Sequence, residues 1–139
     1  MNVKELVPKH KFDDSNIEKL YMLTDEEIKP IIYDLLVWLQ DYNWPVADKV
    51  LKVLLEREDL VLPHIKYILK KDDFKTNSEK DDYDMWKIWL MVLLIPSFNK
   101  EHKKELEQYL LYLINDNKID EDVRETAKEC YNECFENQI

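Results

Sequence analysis

Four tryptophans are the side chains of this 139-residue chain best suited to recognition chemistry. Tryptophan is enriched in binding hot spots because its large ring buries much area against a partner. Two of the four flank a short polar segment that supplies a carboxylate and an amide, and the other two lie three residues apart in an apolar stretch. The candidate partner-binding residues are therefore Trp38, Asp41, Asn43, Trp44, Trp86 and Trp89.

Each of these residues also has a plain structural interpretation. Met85 to Ile95 contains Lys87 as its one charged residue, so both tryptophans in this stretch also suit a dry core helix. Trp44, at a predicted helix start beside Pro45, is the better binding candidate, although it could equally seat that helix on its neighbour. Asp41 and Asn43 also suit a turn and a helix N-cap.

Catalytic motifs are scarce because the chain has no glycine at all. A P-loop, a dinucleotide fingerprint, an EF-hand loop and a Gly-x-Ser-x-Gly elbow each need glycine backbone conformations. None of the three serines is adjacent to a histidine in sequence, so only the fold could assemble a catalytic triad, and the carboxylates between Asp72 and Asp84 suit a solvated loop better than a calcium site. We expect no enzyme activity and no cofactor.

Metal binding is not expected either. Cys130 and Cys134 lie four residues apart in a helical pattern, but the three histidines are scattered without ligand spacing. Free cysteine behaves as a small hydrophobic residue in a reducing compartment. The pair is therefore predicted to be two buried free thiols.

The charge balance constrains the partner. The chain has 20 Lys and Arg against 30 Asp and Glu, a net charge of −10. A nucleic-acid binder needs a basic stripe, so the partner is predicted to be a protein, and a basic one. No apolar run reaches the roughly 18 residues of a membrane span, and no signal peptide is visible. These features predict a cytoplasmic protein that binds neither nucleic acid nor membrane; the oligomeric state stays open.

Hydrophobic periodicity is helical almost everywhere, which predicts an all-α fold. Thr24 and Glu27 form a capping box at the first clear helix start. A main helix is predicted from Pro30 to Gln40 and a second from Trp44 to about Arg57. We expect them to pack as a pair.

Three similar turns suggest repeats. They begin at Asp41, Asp82 and Asp120, with steps of 41 and 38 residues, close to the period of about 40–47 residues of HEAT-type helix pairs. A polar insertion at about 73–80 lengthens the middle repeat. Such pairs predict a single domain, 1–139, folded as a short right-handed HEAT-like α-solenoid of about three helix pairs.

Several segments resemble the bacterial domain of unknown function 5071. They are Leu6-Val-Pro-Lys9, Lys29-Pro-Ile31, Trp38-Leu-Gln-Asp-Tyr-Asn-Trp-Pro-Val-Ala47, Leu62-Pro-His-Ile65 and Trp86-Lys-Ile-Trp89. The resemblance covers most of the chain. It implies a small HEAT-like helical protein whose activity is not established, and it transfers no catalytic residue.

The leading hypothesis is a noncatalytic protein–protein interaction module. An immunity-type protein that masks a basic toxin is a special case suggested by analogy, and capture of an apolar or cationic small ligand by aromatic walls is an alternative. A HEAT-like alkylpurine DNA glycosylase, with Trp44 and Asp41 in a cleft, is the least favoured because the chain lacks a basic groove.

Overall fold

A computed structural model describes residues 2–136 of the chain. Within that range every regular element is helical and no strand occurs, which confirms the all-α prediction. The chain divides into two compact units at the boundary between His64 and Ile65. The expectation of a single domain stays a prediction.

The first unit is built from short helical segments. In chain order they are a 3-10 turn at Val3–Leu6, α1 at Ile17–Met22, α2 at Asp25–Ile28, a 3-10 turn at Lys29–Ile31, α3 at Ile32–Leu36, a 3-10 turn at Val37–Leu39, and α4 at Ala47–Leu55. Helix α5, Glu58–Lys70, begins in this unit. Both α1 and α3 pack against α4, whose apolar face is fully buried at Val50, Val53 and Leu54.

The predicted capping box is confirmed at the start of α2. The Glu27 N–H donates to the Thr24 hydroxyl at 3.2 Å, and the Thr24 N–H donates to the Glu27 carboxylate at 2.9 Å. Two amide groups that have no partner inside the helix are thereby satisfied.

The two longer helices predicted in this unit are wrong in extent. The segment from Pro30 to Gln40 is broken into 3-10, α and 3-10 turns, and the proline contributes by removing one backbone donor. The second helix starts at Ala47 rather than Trp44, because the Ala47 N–H closes a tight turn onto the Trp44 carbonyl at 3.0 Å. Asn43 is therefore not the N-cap of this helix.

The second unit has longer helices. They are α6 at Asn77–Leu93, α7 at Lys100–Asn115 and α8 at Glu121–Tyr131, with a 3-10 turn at Ile95–Ser97 and a π-helical turn at Asn132–Glu136. Both α6 and α7 pack on α8. A helix starts at the third predicted turn, and its N-cap is Asp120, whose carboxylate accepts from the N–H groups of Asp122 and Val123.

The predicted middle turn is wrong. Asp82 to Met85 lies inside α6, which starts at Asn77 because the Thr76 hydroxyl accepts from the Glu79 N–H at 3.0 Å. The polar insertion at 73–80 is accordingly part loop and part helix. This helix is also less buried than its apolar sequence indicates, because Met85 and Val92 are 48% and 52% exposed.

The cysteine prediction is confirmed. Cys130 and Cys134 are both buried and both free. They contact each other through a thiol hydrogen bond that, with burial, raises the pKa of Cys130 strongly. Their role in the described structure is to fill the core of the second unit.

Candidate functional site

The first unit presents a tryptophan turn, residues 38–46, between α3 and α4. The rings of Trp38 and Trp44 meet edge to face, with centroids 5.4 Å apart and planes at 67°. Aromatic pairs prefer this arrangement, because the positive ring edge faces the negative ring face. Both rings are half-buried, so each keeps surface for a partner.

Asp41 fixes the backbone of the tryptophan turn. Its carboxylate accepts from the Asn43 N–H at 2.9 Å, and its carbonyl accepts from the Trp44 N–H at 3.1 Å. The Asn43 side chain is exposed at the tip. Asp41 therefore has the structural role that its sequence position suggests, while the Asn43 amide faces solvent where a partner could contact it.

The N-terminal segment is tied to the tryptophan turn. The Val46 N–H donates to the Lys11 carbonyl at 2.9 Å, and Lys49 forms an ion pair with Asp14. Phe12, the neighbour of Lys11, is 64% exposed. Sequence reasoning missed Phe12 because nothing local marks a contact made across more than thirty residues.

Three carboxylates of these segments have lowered pKa values. A hydrogen bond from the Ser15 hydroxyl, with backbone N–H groups, lowers the pKa of Asp13 to about 2. The ammonium of Lys49 lowers the pKa of Asp14, and the Tyr42 hydroxyl, 2.6 Å from Asp48, lowers the pKa of that carboxylate. All three therefore remain negatively charged well below neutral pH.

The other two candidate tryptophans belong to the second unit. Trp86 is 1% exposed and packs beside Tyr83, with ring centroids 5.5 Å apart. It cannot present its ring to a partner, and its place in the candidate surface is corrected to a place in the core. Trp89 is half-buried on the same helix. The six predicted residues are thus divided between two units.

The second unit contains a cavity of about 210 Å³ that the candidate residues do not include. We call it the Lys87 cavity. Its lining mixes lysines, aspartates and a few apolar side chains: Lys71, Asp72, Phe74, Lys80, Asp84, Lys87, Tyr112, Asp116, Lys118, Ile119 and Asp120.

Lys87 is the least exposed charged residue of this cavity, at 5% exposure. Its ammonium donates to the Lys71 carbonyl at 2.7 Å, and burial lowers its pKa. Lys80 behaves differently, because Asp84 lies 2.6 Å from its ammonium and raises its pKa. Lys80 thus has a carboxylate partner, whereas Lys87 has a neutral carbonyl partner.

Aromatic faces near the Lys87 cavity are covered by the chain's own lysines. The Lys70 ammonium lies 4.3 Å from the ring centre of Tyr112. The Lys71 ammonium lies 5.4 Å from that of Tyr83 and 5.6 Å from that of Phe74. Because a cationic ligand would need such faces free, this arrangement disfavours an aromatic cage for a cation.

One signal in the sequence could have located this cavity. Lys87 is the single charged residue of Met85 to Ile95, and a lysine in an apolar helix is rarely buried without a reason. The pocket itself could not be deduced, because its lining comes from two helices, α6 and α7, and from the segments before α6 and after α7.

Other kinds of site are not found in residues 2–136. No group of three or more His, Cys, Asp or Glu is placed to hold a metal ion in this range. None of the helices described there combines the length and apolar character that crossing a bilayer requires.

A family model described as Domain of unknown function (DUF5071) matches residues 6–133. The chain belongs to the DUF5071 family. The match includes both the tryptophan turn and the whole lining of the Lys87 cavity, so both features lie within the family domain. No curated protein matches this DUF5071 chain.

Proposed function

We propose that this protein is a noncatalytic, cytoplasmic module that binds a basic protein through the tryptophan turn. The observation that carries the proposal is the edge-to-face pair of Trp38 and Trp44, half-buried beside an exposed turn. Rigid aromatic anchors lose little conformational entropy on binding, so a packed pair suits a hot spot.

Charge supports a basic partner. Asp13, Asp14 and Asp48 lie in the segments joined to the tryptophan turn and, like other carboxylates, are ionised at neutral pH, with Asp14 and Asp48 each paired with a lysine. Opposite charge accelerates association and excludes acidic competitors. The overall charge of −10 acts in the same direction.

An immunity-type role remains a narrower form of this proposal, because masking a cationic toxin needs the same charge complementarity. The proposed fold of this protein is a HEAT-like stack of helix pairs. Contacts between helices that are neighbours in the chain, α3 with α4 and α7 with α8, support helix pairing in each unit. An experimental structure with consecutive pairs stacked in a right-handed superhelix would agree with the solenoid.

The test begins with affinity capture from host lysate, followed by identification and purification of the captured protein. Its affinity is then measured by calorimetry for wild type, Trp44→Ala and Met22→Ala. Met22 is 84% exposed and lies in the same unit, so it serves as a matched control. We expect Trp44→Ala to weaken binding by about thirtyfold and Met22→Ala by less than about twofold.

The partner should be basic, its affinity should fall with added salt, and its mass should be unchanged after prolonged incubation. Circular dichroism must show that Trp44→Ala keeps its helices, and Trp44→Phe provides a milder variant if it does not. An acidic partner, or equal affinity for wild type and both Trp44 variants, would refute the proposal.

A further inference from the structure

The Lys87 cavity encloses a positive charge that no carboxylate of the described chain neutralises by direct contact. The Lys87 ammonium donates to the Lys71 carbonyl at 2.7 Å, and within residues 2–136 it forms no ion pair. An ammonium has three N–H donors. The ring centre of Phe74 lies 5.8 Å from the same ammonium. The Lys71 carbonyl takes one of the three donors, so a molecule that enters the cavity could accept from the others.

The carboxylates of the lining are engaged elsewhere. Asp84 accepts from Lys80 at 2.6 Å. Asp120 accepts from two backbone N–H groups at the start of α8, and Asp116 accepts from the Lys118 N–H at 2.9 Å. Asp72 is exposed at the edge. Asp84 and Asp72 act on Lys87 at a distance, but among the described residues no carboxylate forms an ion pair with it, and a bound anion would supply that direct contact.

The size and walls of the cavity limit that anion. The volume of about 210 Å³ is below the range of roughly 300–1,000 Å³ that drug-sized ligands occupy. Ile119 and the parts of Phe74 and Tyr112 that line the cavity give it some apolar surface, although the ammoniums of Lys71 and Lys70 already lie over these two rings, 5.6 and 4.3 Å from the ring centres. A small molecule with one anionic group and a flat apolar body matches both features.

We propose that the Lys87 cavity binds a small monocarboxylate, with its carboxylate on the Lys87 ammonium and its apolar body against Phe74, Tyr112 and Ile119. Hydrogen bonds between an ammonium and a carboxylate are about twice as strong as neutral ones, and a dry setting strengthens them further. This binding is independent of the protein partner proposed for the tryptophan turn.

Phenylacetate and phenylacetamide provide a matched pair of probes, because they share a ring and differ in charge. Their affinities are measured by calorimetry and by amide chemical shifts near neutral pH. We expect phenylacetate to bind, and the amide to bind at least about tenfold more weakly. Lys87→Met should weaken phenylacetate binding by about tenfold or more, whereas Lys118→Met, at an exposed lining residue, should change it by less than about twofold.

Equal affinity for the acid and the amide would overturn the proposal, as would undiminished binding to a folded Lys87→Met variant. Absence of any shift with about 10 mM phenylacetate would do the same. If Lys87→Met does not fold, the side-chain nitrogen of Lys87 is titrated by NMR in the wild type. Phenylacetate must then raise the pKa of Lys87, because an adjacent anion stabilises the ammonium; an unchanged pKa refutes the contact.

Discussion

Arg57 in the first unit and Lys87 in the second are both largely buried cations, and their N–H groups are satisfied in different ways. The Arg57 side chain in the first unit is 11% exposed and donates to the Asp25 carboxylate at 2.7 Å and to the Leu23 carbonyl at 2.5 Å. It also reaches the Tyr21 carbonyl at 3.3 Å. Lys87 in the second unit is 5% exposed and donates to one carbonyl.

The difference in hydrogen-bond partners distinguishes a cation with a structural role, Arg57, from one proposed to bind a ligand, Lys87. The planar guanidinium of Arg57 holds three groups of the α1–α2 corner at once, which its fixed geometry favours. Lys87 instead lines a cavity and donates to one carbonyl. The proposal of a ligand site rests on this combination of burial, few partners and a neighbouring cavity, and not on burial alone.

The tryptophans show the same contrast between the units. Trp86 is enclosed in the second unit, whereas Trp44 keeps part of its ring exposed in the first. One residue type thus stabilises the core in one unit and is available for recognition in the other. The following experiments, in order of expected effect, test each side of this comparison.

The largest effect is expected for Trp86→Ala. Truncating a fully buried tryptophan should lower the free energy of unfolding by about 3–5 kcal/mol, because it removes apolar contacts and leaves a cavity. Trp44→Ala should cost clearly less, since its ring is half-buried. Urea unfolding followed by circular dichroism measures both, and a larger loss for Trp44→Ala would reverse the assignment of core and surface.

The two cations should differ when each is replaced by methionine. Arg57→Met should cost about 2–3 kcal/mol, because it leaves the Leu23 carbonyl without this donor. Lys87→Met should cost less than about 1 kcal/mol, because removing a poorly paired buried charge offsets the lost hydrogen bond. Chemical unfolding of both variants checks the ranking. Equal losses in the free energy of unfolding would mean that Lys87 stabilises the fold as much as Arg57 does.

The free energy of unfolding at alkaline pH tests whether Lys87 is desolvated. Burial lowers its pKa from the ordinary 10.5, although Asp84 and Asp72 act against the shift and Lys80 and Lys71 with it. The unfolded chain then holds this proton more tightly, so the free energy of unfolding rises with pH between the lowered pKa and 10.5. Lys87→Met should flatten that rise. Parallel curves for the two proteins in this interval would show that Lys87 is not desolvated.

The smallest effects are expected in the tryptophan turn. Asn43→Ala should change stability by less than about 0.5 kcal/mol, because the turn uses the backbone N–H of Asn43. Asp41→Ala should cost about 1 kcal/mol through loss of its hydrogen bond. Thermal melts compare the two. A costly Asn43→Ala would restore the capping role that its sequence position suggests.

Local signals in the sequence were read correctly where neighbours in the chain determine the structure. The capping box at Thr24 depends on residues within about one helical turn, and the burial of Cys130 and Cys134 follows the usual preference of free cysteine for the core. The bounds of the longer helices were predicted less accurately. Asp82 and Asp84 look like a turn but lie inside α6, because the cap at Thr76 starts that helix earlier.

Composition and short-range periodicity are enough to predict the helical class, the acidic charge and the absence of glycine-dependent motifs, while the family follows from the matching sequence segments. Which tryptophans are enclosed, and which of Arg57 and Lys87 contacts a carboxylate, depends on the tertiary structure. Burial and hydrogen bonding depend on which side chains from distant segments meet. Lys87 and the carbonyl of Lys71 are sixteen residues apart, and no local pattern specifies that contact.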